Sequence, residues 1–169
     1  MSVIVLRPYL PGDAAKCAEI FRAAIELSAS DDYGDAERDA WAAKADDLQA
    51  FAARFAASLT LVALIDSELI GFASLRGASE IDMLYVDPRY ARQGAASSLL
   101  DALTRLAAAR GADALTSEVS DTARALFERL GFAAQRRNLV QINDQWLANT
   151  TMTKRLAAPG GDTRAPTRH

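Results

Sequence analysis

Ile81-Asp82-Met83-Leu84-Tyr85-Val86-Asp87-Pro88-Arg89-Tyr90-Ala91-Arg92-Gln93-Gly94-Ala95-Ala96 runs from a short apolar strand through a basic turn into three small residues, and Ser97 to Arg110 continues as a long amphipathic helix. Strand, basic loop and helix start, in that order, suit the binding of a pyrophosphate. Small residues let the backbone approach an anion, and the first N–H groups of a helix point at it from the positive end of the dipole. Arg89 and Arg92 would add charge beside such a nest. The plainer alternative is an ordinary surface connection, which Gly94 alone would not oppose. The arginines and the small residues together favour the anion site.

The strand itself carries a second signal. Strict alternation from Ile81 puts Leu84 and Val86 on the opposite face from Ile81, Met83 and Tyr85, so both faces are apolar. That suits a central strand, and a β-bulge near Met83 would shift the phase.

The stretch resembles the cofactor motif of the GNAT superfamily of acetyl-CoA-dependent N-acetyltransferases. Leu84-Tyr85-Val86-Asp87-Pro88 is similar to the family's Leu-x-Val-x-Pro, and Gly94-Ala95-Ala96 to the close of its loop. Aligned on Gly94, the family's leading Gln or Arg falls on Ala91, a departure, with Arg92 beside it. Downstream, Ser120 to Phe132 resembles the family segment Asn-x-x-Ala-x-x-Leu-Tyr-x-x-x-Gly-Phe. The resemblance runs from Val3 to Leu156. Asp31-Asp32-Tyr33, Ala40-Trp41 and Ala148-Asn149 add a likeness to a small bacterial subgroup of undefined substrate.

The resemblance implies acetyl-CoA as co-substrate. Its diphosphate would lie on the backbone of Gln93, Gly94, Ala95, Ala96 and Ser97 with Arg92. A bulge would free backbone N–H groups of Leu84, Tyr85 and Val86 for the acetyl carbonyl and the pantetheine arm, with Leu84 the oxyanion donor. Ser120 and Phe127 complete the expected cofactor contacts. Phe127 stands where many relatives carry a tyrosine that protonates the leaving thiolate, and it has no proton to give. Ser120 stands where asparagine is frequent. Tyr85 is the substitute acid candidate, with packing in the core as the plainer reading.

Bulk properties bound the rest. A chain of 169 residues, 50% hydrophobic and 24% charged, suits one domain. A net charge of −3 argues against nucleic acid as principal partner. No apolar run approaches the roughly 20 residues of a membrane span, and the start lacks a basic leader. The single cysteine, Cys17, excludes an intrachain disulfide and fits a cytoplasmic location. The single histidine, His169, is the last residue, so neither a catalytic histidine nor a histidine-based metal site is expected, and no metal is implied. A homodimer is left open.

Read along the chain, Val3–Leu6 is a strand, Asp13 an N-cap, and Cys17, Ile20, Phe21 and Ala24 one helical stripe on which Cys17 packs. A polar, acidic segment from Ser28 to Asp47, broken by Gly34, separates this from a helix at Leu48–Phe55. Strands at Leu59–Ile65 and Leu69–Leu75 flank a turn at Asp66-Ser67. A strand at Ala114–Val119, a helix at Asp121–Leu130 and a hairpin of Ala133–Ile142 with Trp146–Thr153 finish the pattern. The fold expected is a mixed α/β sheet, β-α-α-β-β-β-α-β-α-β-β, as one domain over residues 1–156. The tail, 157–169, reads as disordered.

Acetyl transfer needs an uncharged amine, so a carboxylate near Leu84 is of interest. Asp82 is the candidate base, with a structural ion pair weighted evenly against it; Glu80 lies beside it, and Glu118 reads as an exposed strand residue. Tyr33, Trp41 and Trp146, with Asp31, Asp32, Asp35, Glu37 and Asp39, could favour a cationic small-molecule or peptide amine; a solvated acidic loop with Trp41 packed on the core is the plainer reading. A non-catalytic acyl-CoA sensor remains the rival to an enzyme, with Phe127 its main support.

Overall fold

The computed structural model describes residues 3–156, so the expectation for the tail lies outside the described residues. Seven strands form one sheet: β1 (Ile4–Pro8), β2 (Leu59–Ile65), β3 (Glu68–Arg76), β4 (Glu80–Val86), β5 (Ala114–Ser120), β6 (Ala133–Ile142) and β7 (Gln145–Arg155). Their order is β1-β2-β3-β4-β5-β7-β6. Every neighbouring pair is antiparallel except β4 with β5.

Five helices cover the sheet: α1 (Ala14–Ala23, prolonged by a π-turn over Ala24–Ser28), α2 (Asp35–Ala42), α3 (Leu48–Ala56), α4 (Ala95–Ala109) and α5 (Arg124–Arg129). One face packs α4 and α5 through Leu99, Leu100, Leu103 and Phe127 against Ala73, Ile81 and Leu115. The other packs α1 and α3 through Cys17, Phe21, Phe51 and Phe55 against Val62, Phe72 and Met83. Cys17 is fully buried, and burial pushes its thiol pKa up to about 12, so packing is its role.

The mixed α/β class holds with one more helix than expected. Helix α2 lies inside the polar, acidic segment Ser28 to Asp47, for which no helix is expected. Gly34 opens it, and the Glu37 carboxylate accepts from Gly34 N at 2.9 Å, satisfying a free donor at the helix start. Helix α4 begins at Ala95, two residues earlier than expected. Asp13 does not cap α1: its side chain turns back, accepting from Leu10 N at 2.8 Å and from both terminal nitrogens of Arg7 at 2.8 and 2.9 Å.

The bulge exists beside Met83, as expected. Ser74 pairs with Met83 and Leu75 with Ile81, leaving Asp82 as the extra residue. Ile81 therefore faces α4 together with Leu84 and Val86, while Met83 and Tyr85 face α1 and α3. Gly71 on β3 matters to this strand: a Cβ there would meet Tyr85 O at 3.1 Å and Val86 Cγ2 at 3.2 Å.

Candidate active site

β4 and β5 pair only through Glu80 with Thr116 and Ile81 with Ser117. Ser117 Oγ donates to Ile81 O at 2.9 Å, and beyond that point the two parallel strands part. On its other edge β4 stays with β3 as far as Asp87, whose N–H donates to Ile70 O at 2.8 Å. Hydrogen bonding in an antiparallel pair alternates along the strand. The N–H groups of Leu84 and Val86 therefore point into the gap left by β5, which is the position required of a backbone donor to a developing oxyanion.

Two cavities meet at that gap. The larger, about 600 Å³, is lined by Leu84, Tyr85 and Val86, by Arg92 and Gly94 to Ser97 at the start of α4, and by Thr122, Leu126 and Arg129 around α5. The smaller, about 290 Å³, is lined by Lys44, Arg54, Arg76, Glu80, Asp82 and Glu118, among others. Trp41, Leu84, Tyr85, Ser120 and Ala123 line both.

The first cavity fits an anionic cofactor arm. Gly94 is the N-cap of α4 with φ +90°, a left-handed conformation that favours glycine, and nothing lies within 4 Å of where its Cβ would be. Arg92 has φ +62° in the same loop. Arg92 and Arg129 have no carboxylate partner among the described residues. Arg129 was not foreseen; its signal was a second basic residue in the segment that includes Arg124.

Arg89 does not serve the nest. It pairs with Asp87 at 2.8 Å and Glu68 at 3.3 Å, and it lines neither cavity. That guanidinium holds the Asp87 carboxyl below the usual range against the opposing effect of burial. Gln93 is exposed and also lines neither cavity. Phe127 is 3% exposed, packs on Phe132 with ring centroids 5.0 Å apart, and faces the smaller cavity rather than the cofactor one.

In the smaller cavity, Asp82 is held by Arg54, whose Nη2 reaches both carboxylate oxygens at 3.1 and 3.2 Å, with Arg76 Nη1 3.7 Å from Oδ1. Tyr85 packs against Phe21 and Phe72, with centroids at 4.8 and 5.6 Å. Burial pushes its phenol pKa strongly upward, only partly opposed by a hydrogen bond with the Trp41 side chain, which makes it a poor proton donor.

Of the aromatic and acidic residues weighed for the acceptor, Tyr33 and Trp41 line the smaller cavity, while Trp146 and the acidic run do not, which matches the plainer reading of that run. Trp146 is 57% exposed and lines neither cavity, because the turn of the β6–β7 hairpin carries it outward. Tyr33 is 6% exposed; its hydroxyl donates to Ala148 O at 2.6 Å and accepts from Asp121 N at 2.9 Å. Trp41 lies between Tyr33 and Tyr85, centroids at 5.4 and 6.4 Å. Asp31, Asp32, Asp35, Glu37 and Asp39 line neither cavity; Asp32 accepts from Thr122 Oγ1 and Asp35 pairs with Arg38. The positive charges at this cavity come from Lys44, Arg54 and Arg76, none of which sequence reading singled out, beside the carboxylates Glu80, Asp82 and Glu118.

Residues 29–156 match the model of the acetyltransferase (GNAT) domain family. The chain belongs to that family. It is 36% identical over 152 residues to the uncharacterized N-acetyltransferase YafP of Escherichia coli K12, covering 90% of this chain and 96% of that one. A crystal structure described as a GCN5-related N-acetyltransferase, aminotransferase class-II, from Rhodopseudomonas palustris is 52% identical, with TM-score 0.90 over 92% of this chain and 98% of the other. PaiA N-acetyltransferase from Thermoplasma acidophilum, solved with coenzyme A, shares the fold at 18% identity and TM-score 0.77, over 91% of this chain and 99% of its own. The parted strands and the glycine-capped α4 are thus the acetyltransferase core of a GNAT protein. No helix of the described residues is long and apolar enough to cross a membrane.

Proposed function

We propose that this GNAT protein moves the acetyl group of acetyl-CoA to a primary amine by direct attack. The observation that carries the reading is the meeting of the two cavities at Leu84 and Tyr85. A donor arm entering along α4 and an amine entering past Asp82 would converge where β4 offers an unpaired N–H.

When bound, acetyl-CoA supplies an activated thioester. Its diphosphate fits the N–H groups of Gly94 to Ser97, with Arg92 and Arg129 supplying charge. Leu84 N–H stabilises the carbonyl oxygen as it becomes negative, and holding both reactants at the gap contributes through proximity. The amine nitrogen attacks the acyl carbon, the C–N bond forms, the C–S bond breaks, and the proton lost by nitrogen is balanced by the one taken up by the departing thiolate. Asp82 accepts the proton that first leaves the ammonium. Solvent supplies the sulfur proton, since Phe127 has none and the raised pKa of Tyr85 disfavours it as donor.

Thiol release from acetyl-CoA across a panel of small and peptide amines tests the proposal. Turnover with at least one amine is expected. Tight acetyl-CoA binding with no thiol release from any amine would favour a non-catalytic acyl-CoA sensor instead.

A further inference from the structure

The charges around the smaller cavity are unevenly compensated. Arg54 and Arg76 both lean on Asp82, and Arg76 also pairs with Glu80 at 2.6 Å. Lys44, in the turn Ala43–Ala45 after α2, has no carboxylate within ion-pair distance among the described residues. Glu118, on β5, accepts from Thr151 Oγ1 at 2.8 Å and Asn138 Nδ2 at 2.9 Å but meets no cation among the described residues. The cavity therefore carries one uncompensated positive charge from its helical wall and one uncompensated negative charge from its strand wall.

We propose that the acceptor is a small amine that also bears a carboxylate, an amino acid or close analogue, with its anionic group held by Lys44 beside Arg54. The proposal rests on the acetyl-transfer reading and names its substrate class. Three cations converge on a space of about 290 Å³ whose carboxylates Asp82 and Glu80 are already engaged by arginines. A neutral or purely cationic amine would leave the Lys44 charge without a partner, whereas a carboxylate supplies one. Glu118 and the carbonyls of the β7 segment remain to hold the amino end beside Asp82, its proton acceptor in the acetyl-transfer reading. Lys44 is exposed along much of its length, yet its pKa is lowered, first by crowding around the ammonium and then by the charge of Arg54, with Asp82 opposing. An anion at that point would relieve both effects.

The test compares matched pairs that differ only by the carboxylate: L-leucine with 3-methylbutylamine, and L-phenylalanine with phenethylamine. In the thiol-release assay the acid of each pair should show kcat/KM higher by about tenfold or more. Lys44→Gln should remove most of that advantage by raising KM for the acid, with kcat within about twofold and the plain amine unaffected; Lys44→Arg should restore it. Equal kcat/KM within each pair, or an equal loss for both members in Lys44→Gln, overturns the proposal.

A binding measurement keeps this separate from the acetyl-transfer reading. In a Trp146→Phe background, Trp41 reports on the cavity by fluorescence. N-acetyl-L-leucine should perturb it at lower concentration than N-acetyl-3-methylbutylamine, with the difference lost in Lys44→Gln. If no amine turns over but that difference appears, the anion site stands and the enzyme reading falls. If the two compounds titrate alike, the anion site falls whatever the turnover.

Discussion

Arg54 Nη2 reaches both carboxylate oxygens of Asp82, so one nitrogen of an arginine on α3 fixes the residue that forms the β4 bulge. That bifurcated contact, with Arg76 Nη1 3.7 Å from Oδ1, orients the carboxylate in the wall of the smaller cavity. The ion-pair side of the even choice for Asp82 is thus present in the structure, and its role as proton acceptor belongs to the proposed reaction.

Asp82→Asn should lower kcat/KM by about 10²–10⁴ near neutral pH, the usual effect of losing a general base. The loss should shrink as pH rises, because free amine is then abundant. A pH–rate profile overlaying wild type would reduce Asp82 to a strut. Arg54→Met should cost about 1–2 kcal/mol in urea unfolding, since Arg76 remains near Asp82 and Arg54 is partly solvated.

Coenzyme A affinity should separate the arginines of the motif loop. Arg92→Ala should weaken binding by about one to two decades, as expected for a charge-assisted phosphate contact, while Arg89→Ala leaves it unchanged because Asp87 and Glu68 already hold that guanidinium. Gly94→Glu should abolish binding by backbone strain at φ +90° and by repulsion. Calorimetry showing equal losses for Arg92→Ala and Arg89→Ala would refute this assignment of the loop.

Acid stability should follow Asp13, Asp87 and Asp121, whose pKa values are lowered chiefly by hydrogen bonds from Arg7, Arg89 and Arg137. Their folded values lie below the unfolded value of about 3.9. The stabilisation is therefore fully present above roughly pH 5 and is lost as pH falls below about 4. Asp87→Asn should be less stable at pH 7 and should show a shallower decline in urea midpoint below pH 4. An unchanged acid slope in that variant would show that the Asp87–Arg89 pair contributes nothing to it.

Cys17 should resist Ellman's reagent in the native state and react once guanidinium unfolds the chain, because the thiol is buried and its pKa is near 12. Rapid native labelling would contradict the packing around α1.

The sheet and the cofactor loop were legible because their signals are local. The apolar run from Ile81 to Val86 demanded a phase shift, and the bulge at Asp82 supplies it. Gly94 is read from its neighbours, and it caps α4. Helix α2 was missed because its sequence is acidic and mostly polar, and its start is marked only by Gly34 and Glu37. The basic residues of the smaller cavity escape sequence reading for a different reason. Its charges arrive from the turn after α2 and from α3, β3, β4 and β5, which converge only in three dimensions, whereas the acidic run Asp31 to Asp39 is contiguous and lines neither cavity. Trp146 shows the limit of residue type as a guide: an aromatic at a hairpin turn can face solvent.

The Tyr33 hydroxyl, bonded at once to Ala148 and Asp121, spans 115 and 88 positions of sequence. It rivets the segment before α2 to β7 and to the approach of α5. Tyr33 and Ala148 line the smaller cavity, and Asp121 sits between Ser120 and Thr122 of the larger one, so both cavities share this fastening. Loosening it would disturb both ligands together, so changes in amine preference are more readily made at Lys44 or Glu118, which hang from the walls, than at the pin joining them.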